Sequence, residues 1–150
     1  MTGIDTNVLV RYITQDDPLQ SALATTLFEK DLSSESPGFV TLVSLCELVW
    51  VLEECYDTGK KEIVDILKNV LTSRSLRVER EDLAWKSVRR YGKEGADFND
   101  FLIAEISREA GCKSVVTFDK KAAKSQAMVL LSGHPPVPSL DSAGQEVVDC

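Results

Sequence analysis

Hydrophobic positions along the chain change their spacing repeatedly, from short extended runs to segments with a helical repeat. Gly3, Ile4 and Asp5 read as the end of a short strand, after which residues 7–14 turn helical. Asp17 and Pro18 open a second helix running to about Lys30, proline being favoured in a first helical turn. Residues 38–41 make a second strand, followed by a strongly apolar helix over 43–56 that is expected to stop near Gly59. Over 61–73, Ile63, Val64, Ile66, Leu67, Val70 and Leu71 keep helical register. A strand at 76–79 and helices at 82–91 and 98–110 follow, the last closed by Gly111. Residues 114–118 are β-branched enough for a central parallel strand, and 128–131 make the final one. This alternation predicts an α/β fold.

A length of 150 residues fits one domain with one core, and 43% hydrophobic with 27% charged residues excludes a disordered or fibrous chain. The expected division is a domain over 1–131 and a surface extension over 132–150, rich in proline, glycine and serine. The longest uncharged runs, 36–46 and 125–140, are too short or too broken by proline to span a bilayer. The first residues carry no basic segment before an apolar stretch, so a cytoplasmic protein is expected.

Acids outnumber bases 24 to 17, so a nucleic acid would need a local basic patch or bridging metal ions rather than the overall field. The four cysteines show no C-x-x-C spacing. Cys46 and Cys55 on one helix would stand about 13 Å apart, which argues against a disulfide framework or a cysteine zinc site. The single histidine, His134, excludes paired-histidine nucleases and H-E-x-x-H metalloproteases, and leaves little room for a Ser-His-Asp triad.

The acids occupy informative places. Asp5 and Asp119 each end a strand, at the carboxyl edge where α/β sheets bind ligands, although each could simply cap the helix that follows. Glu47 lies on the apolar helix with Val43, Ser44, Trp50 and Val51 as its nearest helical neighbours. A carboxylate enclosed there needs a metal, a basic side chain or a hydrogen-bond network, the alternative being an exposed gap in the helix. Asp97 and Asp100, three residues apart before an apolar helix, put both carboxylates on one side of its first turn, where capping is the plainer reading of the pair. Carboxylates that converge require a cation, and hard oxygen donors without histidine or thiolate favour Mg²⁺ or Mn²⁺ over zinc.

The segments G-I-D-T-N-V-L-V-R-Y, S-L-C-E-L-V-W-V-L, G-A-D-F-N-D-F-L-I-A and V-V-T-F-D-K-K, in this order, resemble the motifs of PIN domains, most closely those of VapC-type toxin ribonucleases. The resemblance implies a three-layer α/β/α domain with a central, mainly parallel sheet. It implies Mg²⁺-dependent cleavage of RNA, with Mn²⁺ as a possible substitute, leaving a 5′-phosphate and a 3′-hydroxyl. Asp5, Glu47, Asp97 and Asp119 match the acidic metal-binding set, Asp100 an additional acid and Thr6 the small hydroxyl residue that supports it. After Asp119 the K-K-A-A sequence departs from the family's usual acidic and aromatic continuation. With no histidine or cysteine to activate a protein nucleophile, water activated by metal is the expected attacker. Candidate phosphate contacts are Arg11, which could instead pair with an acid, then Lys86, Arg89, Arg90 and Lys93 at helical spacing, and Lys120, Lys121 and Lys124. Tyr12, Trp50 and Phe98 lie in apolar runs and are expected to pack rather than stack on bases. The expected partners are RNA and a small, basic-tailed antitoxin, with a homodimer as the assembly. The alternatives are a catalytically silent PIN-like interaction module and a receiver-type signalling domain, although Asp5 lacks the adjacent acid a receiver would carry at its first strand.

Overall fold

The computed structural model describes residues 1–131; the extension expected at 132–150, with His134, lies outside them. The chain forms two compact units, residues 1–92 and residues 93 onward. In the first, β1 (Thr2–Gly3), β2 (Gly38–Val40) and β3 (Leu76–Val78) make a parallel sheet with β2 in the middle. Parallel neighbours need crossovers. Between β1 and β2 these are α1 (Thr6–Thr14) and α2 (Pro18–Thr26), the latter continued by a π-helical turn, Leu27–Asp31. Between β2 and β3 they are α3 (Leu42–Tyr56) and α4 (Lys60–Thr72); α5 (Glu81–Lys93) follows β3.

Local chemistry sets the element ends. The Asp17 carboxylate accepts the Gln20 N–H at 2.8 Å, and the Thr41 hydroxyl accepts the Ser44 N–H at 3.0 Å. Just past β3, Glu79 accepts the Leu42 N–H at 2.9 Å and so satisfies another free donor of α3. The end of α3 differs from expectation: the chain turns at Asp57 (φ 50°), a residue type that tolerates the left-handed conformation, and Gly59 instead precedes α4 as its N-cap. Gly38 is dictated by packing, because a Cβ there would come within 2.8–3.0 Å of Ile4, Leu76 and Leu32.

The core of this unit is built on helical spacing. Leu45, Leu48, Val49 and Leu52 of α3 and Ile63, Leu67, Val70 and Leu71 of α4 are buried with Leu9, Val40, Leu83 and Val88. Tyr12 stacks on Phe28 with ring centroids 4.4 Å apart, the packing role expected of it. The opposite stripe of α3 carries Val43, Glu47 and Trp50, with Val43 67% and Trp50 61% exposed. The apolar enclosure expected around Glu47 is therefore absent, and Trp50 is not a packing residue. A helix apolar nearly all round still turns only one stripe to the core, and here the other stripe meets solvent.

In the second unit, α6 (Phe98–Glu109) is followed by Gly111 at φ +92°, and β4 (Val116–Thr117), α7 (Lys120–Lys124) and β5 (Val129–Leu130) form a parallel β-α-β turn with Val116 opposite Val129. β4 is shorter than the 114–118 expected, and Val116 and Phe118 remain exposed. Phe98, Phe101, Leu102, Ala122 and Met128 are buried, Phe98 as expected. The predicted α/β class with parallel strands is thus what both units show. Among the described residues no helix is long and apolar enough to cross a membrane.

Candidate active site

The first unit brings together Asp5, Thr6 and Glu47. β1 is extended by the Ile4 N–H to Phe39 carbonyl bond of 2.8 Å, and the chain turns into α1 immediately afterwards. Asp5 occupies the N-cap position of α1, yet its side chain makes no capping hydrogen bond. Capping thus accounts for where Asp5 sits and not for what its exposed carboxylate does. The buried Thr6 hydroxyl donates to Glu47 Oε2 at 2.5 Å, joining residues 41 positions apart. Glu47 thus takes the exposed alternative, with this hydroxyl as its hydrogen-bond donor.

A cleft of about 470 Å³ runs from this group along α1 and α3, with Arg11, Trp50 and Tyr56 among its walls. Arg11 is held in place: Nε donates to Gln20 at 2.8 Å, and Nη1 donates to Asp16 and to the Tyr56 hydroxyl, each at 3.2 Å. The Tyr56 hydroxyl in turn donates to Asp16 at 2.5 Å. That bond first, and one from Thr14 second, hold the Asp16 carboxyl below its usual range. On α3, burial and the neighbouring Glu47 charge push the Cys46 thiol up to about 11, which makes it a poor nucleophile.

The second unit brings together Asp97, Asp100 and Asp119, each offering a carboxylate oxygen within 4.8 Å of the others. Asp97 is the N-cap of α6, and Asp100 accepts the Asp97 N–H at 3.2 Å, so the expected first-turn pairing is present. Asp119 Oδ1 caps α7 by accepting the Lys121 and Ala122 N–H groups at 2.7 and 3.2 Å. Cap and cluster member are therefore compatible roles. Partial burial first, with the charges of Asp97 and Asp119 adding to it, holds the Asp100 carboxyl above its ordinary value. Lys121 supplies local countercharge, its ammonium lying 2.8 Å from Asp97.

Residues 4–126 match the PIN domain family. The chain belongs to it. This PIN domain is also similar to a VapC ribonuclease of Aquifex aeolicus (strain VF5), 25% identical over 125 residues, or 83% of this chain and 91% of that protein. No solved structure matches it significantly.

The PIN domain's basic residues divide into paired and exposed groups. Lys86 and Arg89 are exposed on one face of α5, Lys93 is exposed at its end, and Arg90 is half-buried. Lys120 and Lys124 are exposed, whereas Lys121 and Arg11 are engaged with Asp97 and Asp16. Sequence reading missed the Lys121–Asp97 pair and the exposure of Trp50. No local signal pointed to the first, which joins residues 24 positions apart. Placement three residues from Glu47 was the signal for the second.

Proposed function

We propose that this protein is a divalent-metal-dependent endoribonuclease, the toxin of a VapBC-type pair. In this reading it acts in the cytoplasm as a homodimer, with residues 1–131 as the nuclease domain and 132–150 as an extension. The observation that carries the reading is the cluster of Asp97, Asp100 and Asp119 carboxylates, within 4.8 Å, in a PIN-family chain. Similarity to a protein named as a VapC ribonuclease adds the substrate class and the expectation of a small antitoxin partner.

The donor set fits a hard cation. All three donors are carboxylate oxygens gathered within 4.8 Å of one another, the donor chemistry that Mg²⁺ or Mn²⁺ prefers. A bound ion supplies Lewis-acid activation of water and offsets charge on the phosphoryl oxygens. Asp5, Glu47, Asp97 and Asp119 are assigned as the acids that hold metal, and Asp100 as the carboxylate that orients water. Thr6 fixes the Glu47 carboxylate through its 2.5 Å bond. Lys86, Arg89, Arg90, Lys93 and Lys120 are assigned to phosphate contacts, with Arg11 held ready in its cleft.

One observation favours a second reading. An ammonium already sits on Asp97, as it would if these acids held basic side chains of a partner in a catalytically silent module. RNA cleavage separates the two. Expression with and without the neighbouring small open reading frame, followed by sequencing of RNA 5′ ends, should show new 5′-phosphate ends and growth arrest only when the toxin is made alone. Unchanged 5′ ends would reject the ribonuclease.

A further inference from the structure

We propose that the cleft beside Asp5 and Glu47 is a nucleobase subsite, in which one unstacked base of the RNA lies on the Trp50 indole; the inference rests on the ribonuclease reading. Trp50 is 61% exposed on a helix that buries Leu45, Leu48 and Leu52. Its indole N–H has no acceptor among the described residues. It stands three residues after Glu47, an axial rise of about 4.5 Å on the same stripe of α3, so a base on the indole belongs to a nucleotide next to the carboxylates. The cleft's volume, about 470 Å³, lies within the roughly 300–1,000 Å³ typical of small-ligand sites.

The remaining walls match the parts of a nucleotide. Asn7 brings an amide that can donate and accept toward a base edge. Arg11 brings a guanidinium that Gln20, Asp16 and Tyr56 orient through Nε and Nη1, leaving Nη2 without an acceptor among the described residues. That geometry suits a phosphate oxygen. Trp50 and Val51 give the wall beyond Glu47 no charge, so a neutral aromatic face is what it can accept. Single-stranded RNA is recognised chiefly by such stacking, which is tolerant of sequence because every base has a π-face.

The test uses the full chain and exploits its two tryptophans, Trp50 and Trp85. In a Trp85→Phe, Asp97→Asn background, with Mg²⁺ and without turnover, a single-stranded RNA pentamer should quench the Trp50 emission. The same pentamer made abasic at one position should not. In otherwise wild-type protein, Trp50→Ala should raise KM about tenfold, the effect falling on KM rather than kcat, and Trp50→Phe should restore most of the loss. The two variants should melt close to wild type. Should Trp50→Ala misfold, quenching and Trp50→Phe still decide. If wild type cleaves RNA and Trp50→Ala does so with unchanged KM, the subsite is wrong while the ribonuclease stands. The subsite is equally wrong if Trp50→Ala loses only an antitoxin and not RNA, which would make the cleft a protein-docking surface. If wild type cleaves no RNA, both readings fall together.

Discussion

Asp100→Asn should stabilise the metal-free protein, whereas Asp97→Asn should leave its melting temperature almost unchanged. The three carboxylates present oxygens no more than 4.8 Å apart, and Asp97 and Lys121 are 46% and 61% exposed, so water-like screening applies. Each like-charge pair then costs at least about 0.9 kcal/mol. Neutralising Asp100 removes two such terms and forfeits about 0.5 kcal/mol of favourable charge at the α6 N-terminus together with a weaker attraction to Lys121, a net gain of up to about 1 kcal/mol. For a chain of this size that is about 2–4 °C. Neutralising Asp97 removes the same two repulsions but also the attraction to Lys121 at 2.8 Å, about 1.5 kcal/mol under the same screening, so the change is close to zero. Asparagine also replaces aspartate well as an N-cap.

The pH dependence has a definite sign. Because folding holds the Asp100 carboxyl above its ordinary 3.8, the unfolded chain releases that proton first as pH rises. Wild-type stability therefore falls as pH climbs through this window and stays lower above it. The Asp100→Asn advantage should be full at pH 7.5 and shrink toward pH 4. Mg²⁺ at about a hundred times its dissociation constant should then stabilise wild type by about 2.7 kcal/mol and Asp97→Asn, which lacks one of the assigned metal ligands, by clearly less. Thermal melts in EDTA and in millimolar Mg²⁺ at several pH values measure all of this. An Asp100→Asn protein that melts at or below wild type in EDTA at pH 7.5 would refute carboxylate repulsion as the cause. A rise of several degrees in Asp97→Asn would show that Lys121 does not compensate.

Three further outcomes are expected. Asp5→Asn and Asp97→Asn should each lower RNA cleavage at least tenfold with intact folds, while Asp82→Asn, which only loses a surface pair with Arg80, should change little; equal effects in an end-labelled RNA assay would remove the assignment. Gly38→Ala should lower stability by about 1–3 kcal/mol, because its Cβ meets Ile4, Leu76 and Leu32 at 2.8–3.0 Å, and an unchanged denaturation midpoint would contradict that packing. Alkylation at pH 8 followed by mass spectrometry should modify the exposed Cys55 and Cys112 well before Cys46, whose thiol sits at about 11; early labelling of Cys46 would mean that α3 opens readily.

Much of the fold was legible because its signals are local. Pro18 after Asp17, and the spacing of Ile63, Leu67, Val70 and Leu71, mark helices whose boundaries the structure shifts by only a few residues. The Asp97–Asp100 pair was equally legible, since three-residue spacing alone places both on one turn. What sequence hid was orientation. Helix α3 has apolar residues nearly all round, so periodicity does not say which stripe faces solvent, and Glu47 and Trp50 were assigned the wrong surroundings. The Lys121–Asp97 pair spans 24 positions and depends on how α7 returns toward α6, which no local pattern encodes.

The most direct measurement is a cleavage assay on a defined single-stranded RNA with purified wild type, Asp5→Asn and Asp97→Asn, in Mg²⁺ and in EDTA, with the new ends mapped. Metal-dependent carboxylate chemistry predicts cleavage by wild type in Mg²⁺ only, 5′-phosphate and 3′-hydroxyl ends, and at least a tenfold loss in each variant. Cleavage that persists in EDTA, or that proceeds at the wild-type rate in both variants, would contradict it.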